Sequence, residues 1–479
     1  MSDKAVRGFG SQTLIVIGIG VVNLLYFSIM SRLLNKEDFG YFAIINAITT
    51  ILDEISTSGL GSAIIQRKTV NKKFFHCAFT LSLIIGLFFT SLLFLSANKL
   101  SHLYVGGTTL IIGFKIISIT FLSHNITSSI RALYIRKMYF FRYGCYQLSA
   151  LIISCVIGVL LAFNKFGFLS IIIASTVSPF LLAVFLVIIN REELGVSLKK
   201  SFVSEILSYG GWLTASGIVR SIYDQLDKLI TTNWIHVSLL GAYNRPVGFI
   251  SQVSGQINGV FDTVLFPILS SNQDNTQKLR NAYMVCTELI FVPATIIAFC
   301  FALSSHLLIS IFLGEKWLDL VPVFQIASIS MVFMFYNRIG DCFFRSMGIV
   351  KDYFMVRVVI CVFSVICIYI GCKNGIMGLV ISVLSARLIE SLFKTFFFSK
   401  KLGLNVISLT FKVLQVCMVP IVLFVILFLL MGNQTSIWSD CISLSLFVVC
   451  LAVSIKIYPS ILGKSFNKYI ISKYLNKWI

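Results

Sequence analysis

The chain has 479 residues, of which 57% are hydrophobic and only 12% are charged, and its mean hydropathy is +0.92. Soluble domains carry about a quarter charged residues, so this composition excludes a soluble globular protein. The formal net charge of +20 comes from 39 Lys and Arg against 19 Asp and Glu. We attribute this excess to membrane topology rather than to nucleic-acid binding, because of where the cations fall along the chain.

Apolar runs of membrane-spanning length follow one another from Phe9 to about Tyr458 and predict an all-α membrane protein of about fourteen transmembrane helices. A segment at 1–8 precedes the first run without a clear cleavage site, so we expect a retained first helix and a cytoplasmic N-terminal segment. The predicted spans lie near 9–31, 40–63, 75–97, 108–134, 143–163, 166–189, 206–234, 240–269, 283–305, 320–345, 354–372, 375–398, 410–432 and 437–458.

Lysine and arginine concentrate in the connections that follow even-numbered spans, whereas odd-numbered connections hold about one lysine each. The positive-inside rule then places both termini in the cytoplasm and makes 459–479 a basic cytoplasmic tail. Contact with anionic inner-leaflet lipid follows from the same charge. The cations in the even-numbered connections are Arg67, Lys68, Lys72, Lys73, Arg136, Lys137, Arg142, Arg191, Lys199, Lys200, Lys278, Arg280, Lys351, Lys400 and Lys401.

The twelve cysteines are scattered, without a CxxC pair or a His/Cys spacing typical of a metal site. We interpret them as reduced packing residues and expect neither a metal nor a cofactor.

Three short sequence segments each have a match six predicted spans later, in the same order, which indicates an internal repeat. An even number of spans per repeat gives both copies the same orientation, which predicts two parallel six-helix bundles, 9–200 and 201–402, followed by a helix pair at 403–458. Substrate sites in such proteins tend to lie between the halves. The matching segments are 131–140 with 345–354, 101–103 with 305–307, and 39–41 with 240–243.

Ionisable residues occur at helical spacing inside several predicted spans. Arg220, Asp224, Asp227 and Lys228 project from one face of the run 211–235. Charges at bilayer depth cost several kcal/mol each unless they face one another or a wet cavity. Further polar positions are Asn46, Thr49, Thr50, Asp53 and Thr57 on span two, Arg245 on span eight, Arg338, Asp341 and Arg345 on span ten, and Arg387 with Glu390 on span twelve.

Two interpretations of these polar faces are open. Hydroxyls, amides and ion pairs stitch membrane helices together, and we expect Arg387 and Glu390 to be such a structural pair. The excess of cations instead favours transport of an anionic, phosphorylated passenger, since arginine binds phosphate oxygens well. Under that hypothesis a cationic lumen between the bundles contains Arg220, Lys228, Arg245, Arg338 and Arg345, and a coupling H⁺ or Na⁺ is taken by Asp53, Asp224, Asp227 or Asp341.

Several motifs resemble those of bacterial polysaccharide flippases of the Wzx type, which belong to the superfamily that also holds the MATE drug exporters and lipid II flippases. The strongest is Ser31-Arg-Leu-Leu-Asn-Lys-Glu-Asp-Phe-Gly-Tyr41 after the first span. Others are Gly59–Arg67, Asp227–Ile230 followed by Leu240–Pro246, and Leu313–Trp317. The similarity extends from Phe9 to about Lys401.

The resemblance implies two six-helix bundles plus two helices, and no enzymatic activity. It implies that an undecaprenyl-diphosphate-linked oligosaccharide moves from the inner to the outer leaflet of the bacterial inner membrane by alternating access. That step feeds O-antigen, lipopolysaccharide, capsule or exopolysaccharide assembly, with a polymerase and a chain-length regulator as partners. The sequence does not identify the glycan.

Three alternatives are weighed against this hypothesis. An ion-coupled drug or metabolite antiporter on the same fold is the first, although a cationic cavity disfavours cationic drugs. A membrane enzyme would need a sizeable outward loop with catalytic groups, and the outward connections are short and lack HExxH, GxSxG or Walker motifs. A scaffold leaves the intramembrane arginines unexplained.

Overall fold

The computed structural model describes residues 3–57, 61, 64, 67, 71–104, 107–208, 211–232, 234–270, 275–431 and 436–457. Within these ranges all regular structure is helical, so the predicted all-α class is confirmed. The predicted basic tail at 459–479 and part of the Gly59–Arg67 motif lie outside the described residues.

The chain divides into two compact units, Met1–Asn244 and Arg245–Ile479. The bundle boundary that the sequence predicts between residues 200 and 201 stays a prediction. The helices of the first unit are α1 (Asp3–Leu33), α2 (Lys36–Thr57), α3 (Lys72–His102), α4 (Thr109–Ile117), α5 (Ile119–Arg136), α6 (Phe140–Phe163), α7 (Phe168–Ile189), α8 (Lys200–Ser208), α9 (Gly211–Thr231) and the start of α10 (Val237–Ser270).

The second unit begins inside α10, and Phe249 of that helix packs its ring against Phe301, Phe312 and Phe324 of the same unit. Van der Waals packing of this kind holds membrane helices together, because lipid provides no hydrophobic driving force between them. Its other helices are α11 (Thr276–Leu303), α12 (Ser305–Leu308), a π-turn at Ile309–Leu313, a 3₁₀ turn at Glu315–Leu320, α13 (Val321–Ser346), α14 (Val350–Cys372), α15 (Gly375–Leu402), α16 (Val406–Met431) and α17 (Ile437–Ile457).

Ten helical segments among the described residues are long and apolar enough to cross a membrane, and α16 makes eleven if its two halves, bent by 48°, form one span. Helices α2, α9 and α10 have 22, 21 and 34 residues but are not in that group. These three helices carry much of the polar sequence described above. A multi-pass membrane protein is therefore confirmed, whereas the full number of fourteen spans stays a prediction.

The turns α5–α6 and α13–α14 have the same local geometry, and they correct the register of the internal repeat. In each turn three residues separate the helices, and the second of them has a positive φ, 55° at Met138 and 68° at Gly348. The helix ends therefore pair Arg136 with Ser346, whereas the sequence match pairs Arg131 with Arg345. The alignment based on identical side chains is therefore displaced by about one helical turn from the alignment of the two backbones.

Helices α2 and α10 approach each other at Gly40 and Gly241, two glycines that the sequence matches as equivalent. A Cβ atom at Gly40 would lie 2.1 Å from the backbone oxygen of Val237, and one at Gly241 would lie 1.7 Å from the backbone oxygen of Lys36. Only glycine allows backbones to come this close. The contact is reciprocal and lies wholly within the first unit.

We predict that Gly241→Ala lowers the stability of the protein by at least about 1–3 kcal/mol, because the added methyl group meets backbone rather than a flexible side chain. Gly248→Ala, on the same helix, is the matched control, since a Cβ atom there has no neighbouring heavy atom within 4 Å. The measurement is the thermal unfolding midpoint of both purified variants in detergent. Equal midpoints for the two variants would contradict the close approach.

Candidate functional site

A polar seam joins α2 to α5 and α9 in the first unit, since α2 packs against both of those helices. Its central contact is between Nδ1 of His124 and Oδ1 of Asp53, which lie 2.9 Å apart. The two side chains are 40% and 28% exposed, so both remain accessible from outside the protein core. Asp53 is one of the residues that the sequence predicted, whereas His124 was not among them, although it is the histidine of the predicted span 108–134.

Other seam contacts join a side chain of one helix to a side chain or to the backbone of another. The amide nitrogen of Asn125 donates to Oγ of Ser56 at 3.2 Å, and the Ser221 hydroxyl donates to the backbone oxygen of Thr50 at 3.3 Å. Helix α9 places Gly217 directly against the carboxylate of Glu54, 2.4 Å from where a Cβ atom would stand. These contacts tie the three helices together at the depth where α2 is most polar.

The threonines of α2 are satisfied within their own helix. Thr49, Thr50 and Thr57 donate to the backbone oxygens of Ile45, Asn46 and Asp53 at 2.7, 2.7 and 2.8 Å. A hydroxyl that donates to the backbone oxygen one turn earlier has its hydrogen bond satisfied within its own helix, as an apolar medium requires. This supports a structural interpretation of these threonines.

The four ionisable residues on the polar face of α9 differ in their hydrogen bonds and in their exposure. Asp227 accepts a hydrogen bond from the Tyr243 hydroxyl at 2.6 Å, and Nζ of Lys228 donates to Oε1 of Gln225 at 2.8 Å. Arg220 is half-buried and Asp224 is exposed. Asp227 therefore joins α9 to α10 within the first unit, and Lys228 is bonded within α9 itself.

Four ionised side chains form a buried cluster in the second unit, hereafter the charge cluster: Asp341 on α13, Arg357 on α14, and Glu390 and Lys394 on α15. Arg357 contacts Asp341 at 2.6 Å and Glu390 at 3.2 Å, while Lys394 contacts the same two carboxylates at 2.7 and 2.6 Å. Each of the four side chains is only 1–7% exposed. The cluster carries no net charge.

The charge cluster is also saturated in hydrogen bonds. An ammonium group has three donors, and those of Lys394 reach Asp341, Glu390 and the backbone oxygen of Asn337, the last at 2.9 Å. Tyr353 adds its hydroxyl at 3.3 Å from Nε of Arg357. Asp341 is thus fully engaged with two cations inside the three-helix packing, which favours a structural role for it; its predicted role in ion coupling stays untested.

The structure corrects the expected pairing of Glu390 with Arg387. Glu390 instead pairs with Lys394 and Arg357, and Nη1 of Arg387 donates to Oγ of Ser330 at 2.6 Å. The sequence offered both Arg387 and Lys394 within one turn of Glu390. Arg357 comes from another helix, so only the fold could reveal it.

The remaining predicted cations of the second unit lie near backbone or core. Nε of Arg345 donates to the backbone oxygen of Asp341 at 3.3 Å, one turn earlier on α13. Arg245 is 9% exposed and Arg338 is half-buried. Of the five cations proposed for a lumen, Arg220 and Lys228 belong to the first unit and the other three belong to the second.

An apolar cavity of about 350 Å³ lies within the second unit, among α11, α13, α15 and α16. Its few polar atoms include the hydroxyls of Tyr336 and Thr395, which lie 2.6 Å apart, and a second bond of 2.7 Å continues from Tyr336 to Tyr283. Leu388, Leu392 and Leu414 line the cavity and are also exposed at the outer surface. Such a space accommodates hydrocarbon and not a charged group.

In the ranges that the structure describes, no three His, Cys, Asp or Glu residues come together as metal ligands. The twelve cysteines are free thiols, and their expected role in packing stays a prediction.

These features define a class of protein: a helical, multi-pass membrane protein with polar and charged residues inside its helices. Solved structures with the same fold include a lipid II flippase MurJ in an inward closed conformation, with a TM-score of 0.74, 14% identity, and coverage of 94% of this chain and 99% of that one. An inward-facing multidrug resistance MATE family transporter of the MOP superfamily matches with a TM-score of 0.60, 14% identity, and coverage of 81% and 98%. The expected MATE-like fold is confirmed.

The chain belongs to the family described as "Polysaccharide biosynthesis protein", whose model matches residues 29–322. It is similar to the lipopolysaccharide biosynthesis protein WzxC of Escherichia coli K12, 25% identical over 319 residues, which are 66% of this chain and 63% of that protein. It is also similar to the succinoglycan biosynthesis transport protein ExoT of Rhizobium meliloti, 24% identical over 305 residues, which are 63% and 61% of the two chains. The predicted membership of a family that acts in polysaccharide biosynthesis is confirmed.

We predict that Lys394→Met lowers the free energy of unfolding by about 3–5 kcal/mol, because it leaves two buried carboxylates facing a single cation. Lys401→Met on the same helix is the control: Lys401 lies 3.9 Å from Asp352, both are nearly half exposed, and the expected loss is about 0–1 kcal/mol. The measurement is thermal unfolding of the purified proteins.

A double variant, Glu390→Gln with Lys394→Met, tests the pairing itself. It removes one charge of each sign and leaves Asp341 with Arg357, so part of the lost stability should return. A double variant less stable than the sum of the two single losses would contradict the cluster as a neutral, mutually compensating unit.

Proposed function

We propose that the protein is a flippase that moves a polyprenyl-diphosphate-linked oligosaccharide repeat unit across the bacterial inner membrane, by alternating access, for O-antigen, capsule or exopolysaccharide assembly. The observation that carries this proposal is the family match to polysaccharide biosynthesis on a MurJ-like fold that covers 94% of the chain. A sugar diphosphate cannot cross hydrocarbon unaided, because its charges and hydrogen bonds would be unsatisfied there. A polymerase and a chain-length regulator are the partners that such a product would meet.

The proposed topology has fourteen spans in two parallel six-helix bundles with two further helices, and both termini in the cytoplasm. Support comes from α2, α9 and α10, which are long enough to cross the bilayer and which add to the ten or eleven apolar spans. Helices of this polarity are stable at bilayer depth when they face a wet cavity. The alternating placement of lysine and arginine supports the orientation.

Substrate binding falls to the cations at bilayer depth in this proposal: Arg220, Lys228, Arg245, Arg338 and Arg345. Among them Arg220 is the first to test, because it is half-buried on the polar face of α9. Lys228 donates to Gln225, Arg345 donates to the backbone, and Arg245 lies in the core of its unit. Its guanidinium can hold two phosphate oxygens at once, which a lysine cannot.

Ion coupling in this proposal belongs to the Asp53–His124 pair rather than to Asp341. The pair is accessible and can share a proton across 2.9 Å, whereas the charge cluster is closed on all sides. Other ionisable groups near the seam are Glu54 on α2 and Arg220 and Asp224 on α9. A proton gradient is the form of energy that such a pair can use.

A drug or metabolite antiporter is the second candidate, and the likeness to the MATE transporter favours it at the level of fold. The family match and the transport relative favour a polysaccharide precursor instead. Resistance to a drug panel that falls on deletion, with unchanged surface glycan, would select the antiporter.

The proposed function predicts that deletion removes surface polymer while lipid-linked repeat units accumulate inside the cell. Arg220→Ala should restore about 10- to 100-fold less flux than wild type at matched membrane expression, as expected for one lost charge-assisted contact worth about 1.5–3 kcal/mol. Lys278→Ala, which removes an exposed cation at the start of α11, should restore it fully. Undiminished polymer in the deletion strain would refute the flippase.

The coupling proposal predicts that Asp53→Asn and His124→Asn each reduce transport and abolish its dependence on the pH gradient. Their effects should be non-additive, because one lost partner already removes the shared proton. Transport into proteoliposomes with an imposed gradient measures this. The control is Glu37→Gln, which changes an exposed carboxylate that accepts a hydrogen bond from the Tyr41 hydroxyl on the same helix. Additive losses with an intact gradient dependence would assign the pair to packing.

A further inference from the structure

The connection between α7 and α8, residues 190–199, is fastened along the start of α3. This connection, together with Lys200 at the start of α8, is hereafter called the strap. The backbone nitrogen of Ser197 donates to the Thr80 hydroxyl at 3.0 Å. Nε2 of His76 lies 3.2 Å from the backbone oxygen of Glu193. A ten-residue connection that is bonded in this way holds a defined face outward, unlike a flexible linker.

Helix α8 continues the strap and anchors it in the core of the first unit. Ile206 is 2% exposed and belongs to the same apolar cluster as Phe74, with Phe202 packed against it. The guanidinium of Arg67 lies 3.9 Å from the centre of the Phe74 ring and 5.2 Å from that of Phe202. The strap is therefore fixed at both ends.

Successive residues of the strap point alternately outward and towards α3. Ser197 is turned towards α3, while Val196 and Leu198 on either side are 78% and 59% exposed. Lys199 and Lys200 follow at once and are also exposed. Aliphatic side chains next to lysines are typical of segments that lie in a membrane interface.

The turn between α5 and α6 extends this face. Nζ of Lys137 contacts Oε1 of Glu193 at 2.5 Å, which ties the turn to the strap. Met138, Tyr139 and Phe141 are 59%, 49% and 55% exposed. Large apolar groups and cations thus form one continuous surface.

The level of this surface in the bilayer follows from the helices beside it. Spans α3 and α6 begin at Lys72 and Phe140, and spans α5 and α7 end at Arg136 and Ile189. Four membrane-spanning helices therefore begin or end where the strap lies. Lipid headgroups, and not hydrocarbon or bulk water, occur at that level.

We propose that the strap and the α5–α6 turn form a binding surface for anionic phospholipid. Val196, Leu198 and Phe141 enter the boundary between headgroups and acyl chains, and Lys199 and Lys200 contact lipid phosphates. Each cation near an anionic surface favours binding by about 1 kcal/mol, and an apolar anchor adds to it. This inference requires only that the chain spans a membrane, so it can fail or hold independently of the flippase proposal.

The first test is the lipid preference of the purified protein in nanodiscs of phosphatidylcholine with or without phosphatidylglycerol. Native mass spectrometry should show bound phosphatidylglycerol in preference to phosphatidylcholine, and Lys199→Gln with Lys200→Gln should lower that preference by about ten- to thirtyfold. The control removes the same charge from the odd-numbered connections, Lys99→Gln with Lys165→Gln, both exposed. Equal losses in both double variants, or no preference in wild type, would overturn the proposal.

The second test locates the strap directly and does not depend on charge. Val196→Trp keeps a large apolar group at an exposed position, so folding should be preserved. Its fluorescence should be quenched by lipids brominated near the headgroup, beyond the quenching of the five native tryptophans, and shielded from aqueous acrylamide. Full access to acrylamide would place the strap in water, or against a soluble partner, and would overturn the proposal.

Discussion

A charged side chain in hydrocarbon must have its counter-charge beside it, and the second unit is built around that constraint. Asp341, Arg357, Glu390 and Lys394 come from three helices and neutralise one another completely. Because each carboxylate has two cationic partners, displacement of any one helix would strand a charge. The cluster therefore fixes how α13, α14 and α15 lie against one another. Two of these helices, α13 and α15, also line the apolar cavity.

The first unit solves the same problem differently. Its seam joins α2, α5 and α9 through a half-exposed ion pair and through bonds to backbone, such as that of Ser221 to Thr50. Contacts of this kind tolerate rearrangement, since no fully buried charge is stranded when one of them opens. The two units thus differ in electrostatic rigidity: one is locked by buried paired charges, and the other contains a pair, Asp53 and His124, whose side chains are 28% and 40% exposed. This difference suits an assignment of ion coupling to the first unit.

The sequence predicted the helical class and most membrane spans because apolar length is read directly from composition. It selected Asp53 and Asp341, since carboxylates inside apolar runs are conspicuous. It could not supply their partners: His124 lies 71 positions from Asp53, and Arg357 has no counter-charge one turn away on α14. Pairing between helices depends on which faces meet, and neither helical periodicity nor charge counts contain that information. The register of the repeat was wrong for a related reason. The identical residues in the two copies are displaced by one helical turn from the positions that are equivalent in the backbone.

The reciprocal contact of Gly40 and Gly241 also constrains the biogenesis of the protein. Chains grow at about 5–20 residues per second, so Gly241 is synthesised roughly 10–40 s after Gly40. During that interval α2 is already synthesised, but α10, whose backbone packs against Gly40, is not, so the surface beside Gly40 is uncovered. The insertion machinery or lipid must cover the groove until α10 arrives. Ribosome pausing within the first bundle would lengthen this exposed stage and leave the nascent chain open to quality-control proteolysis.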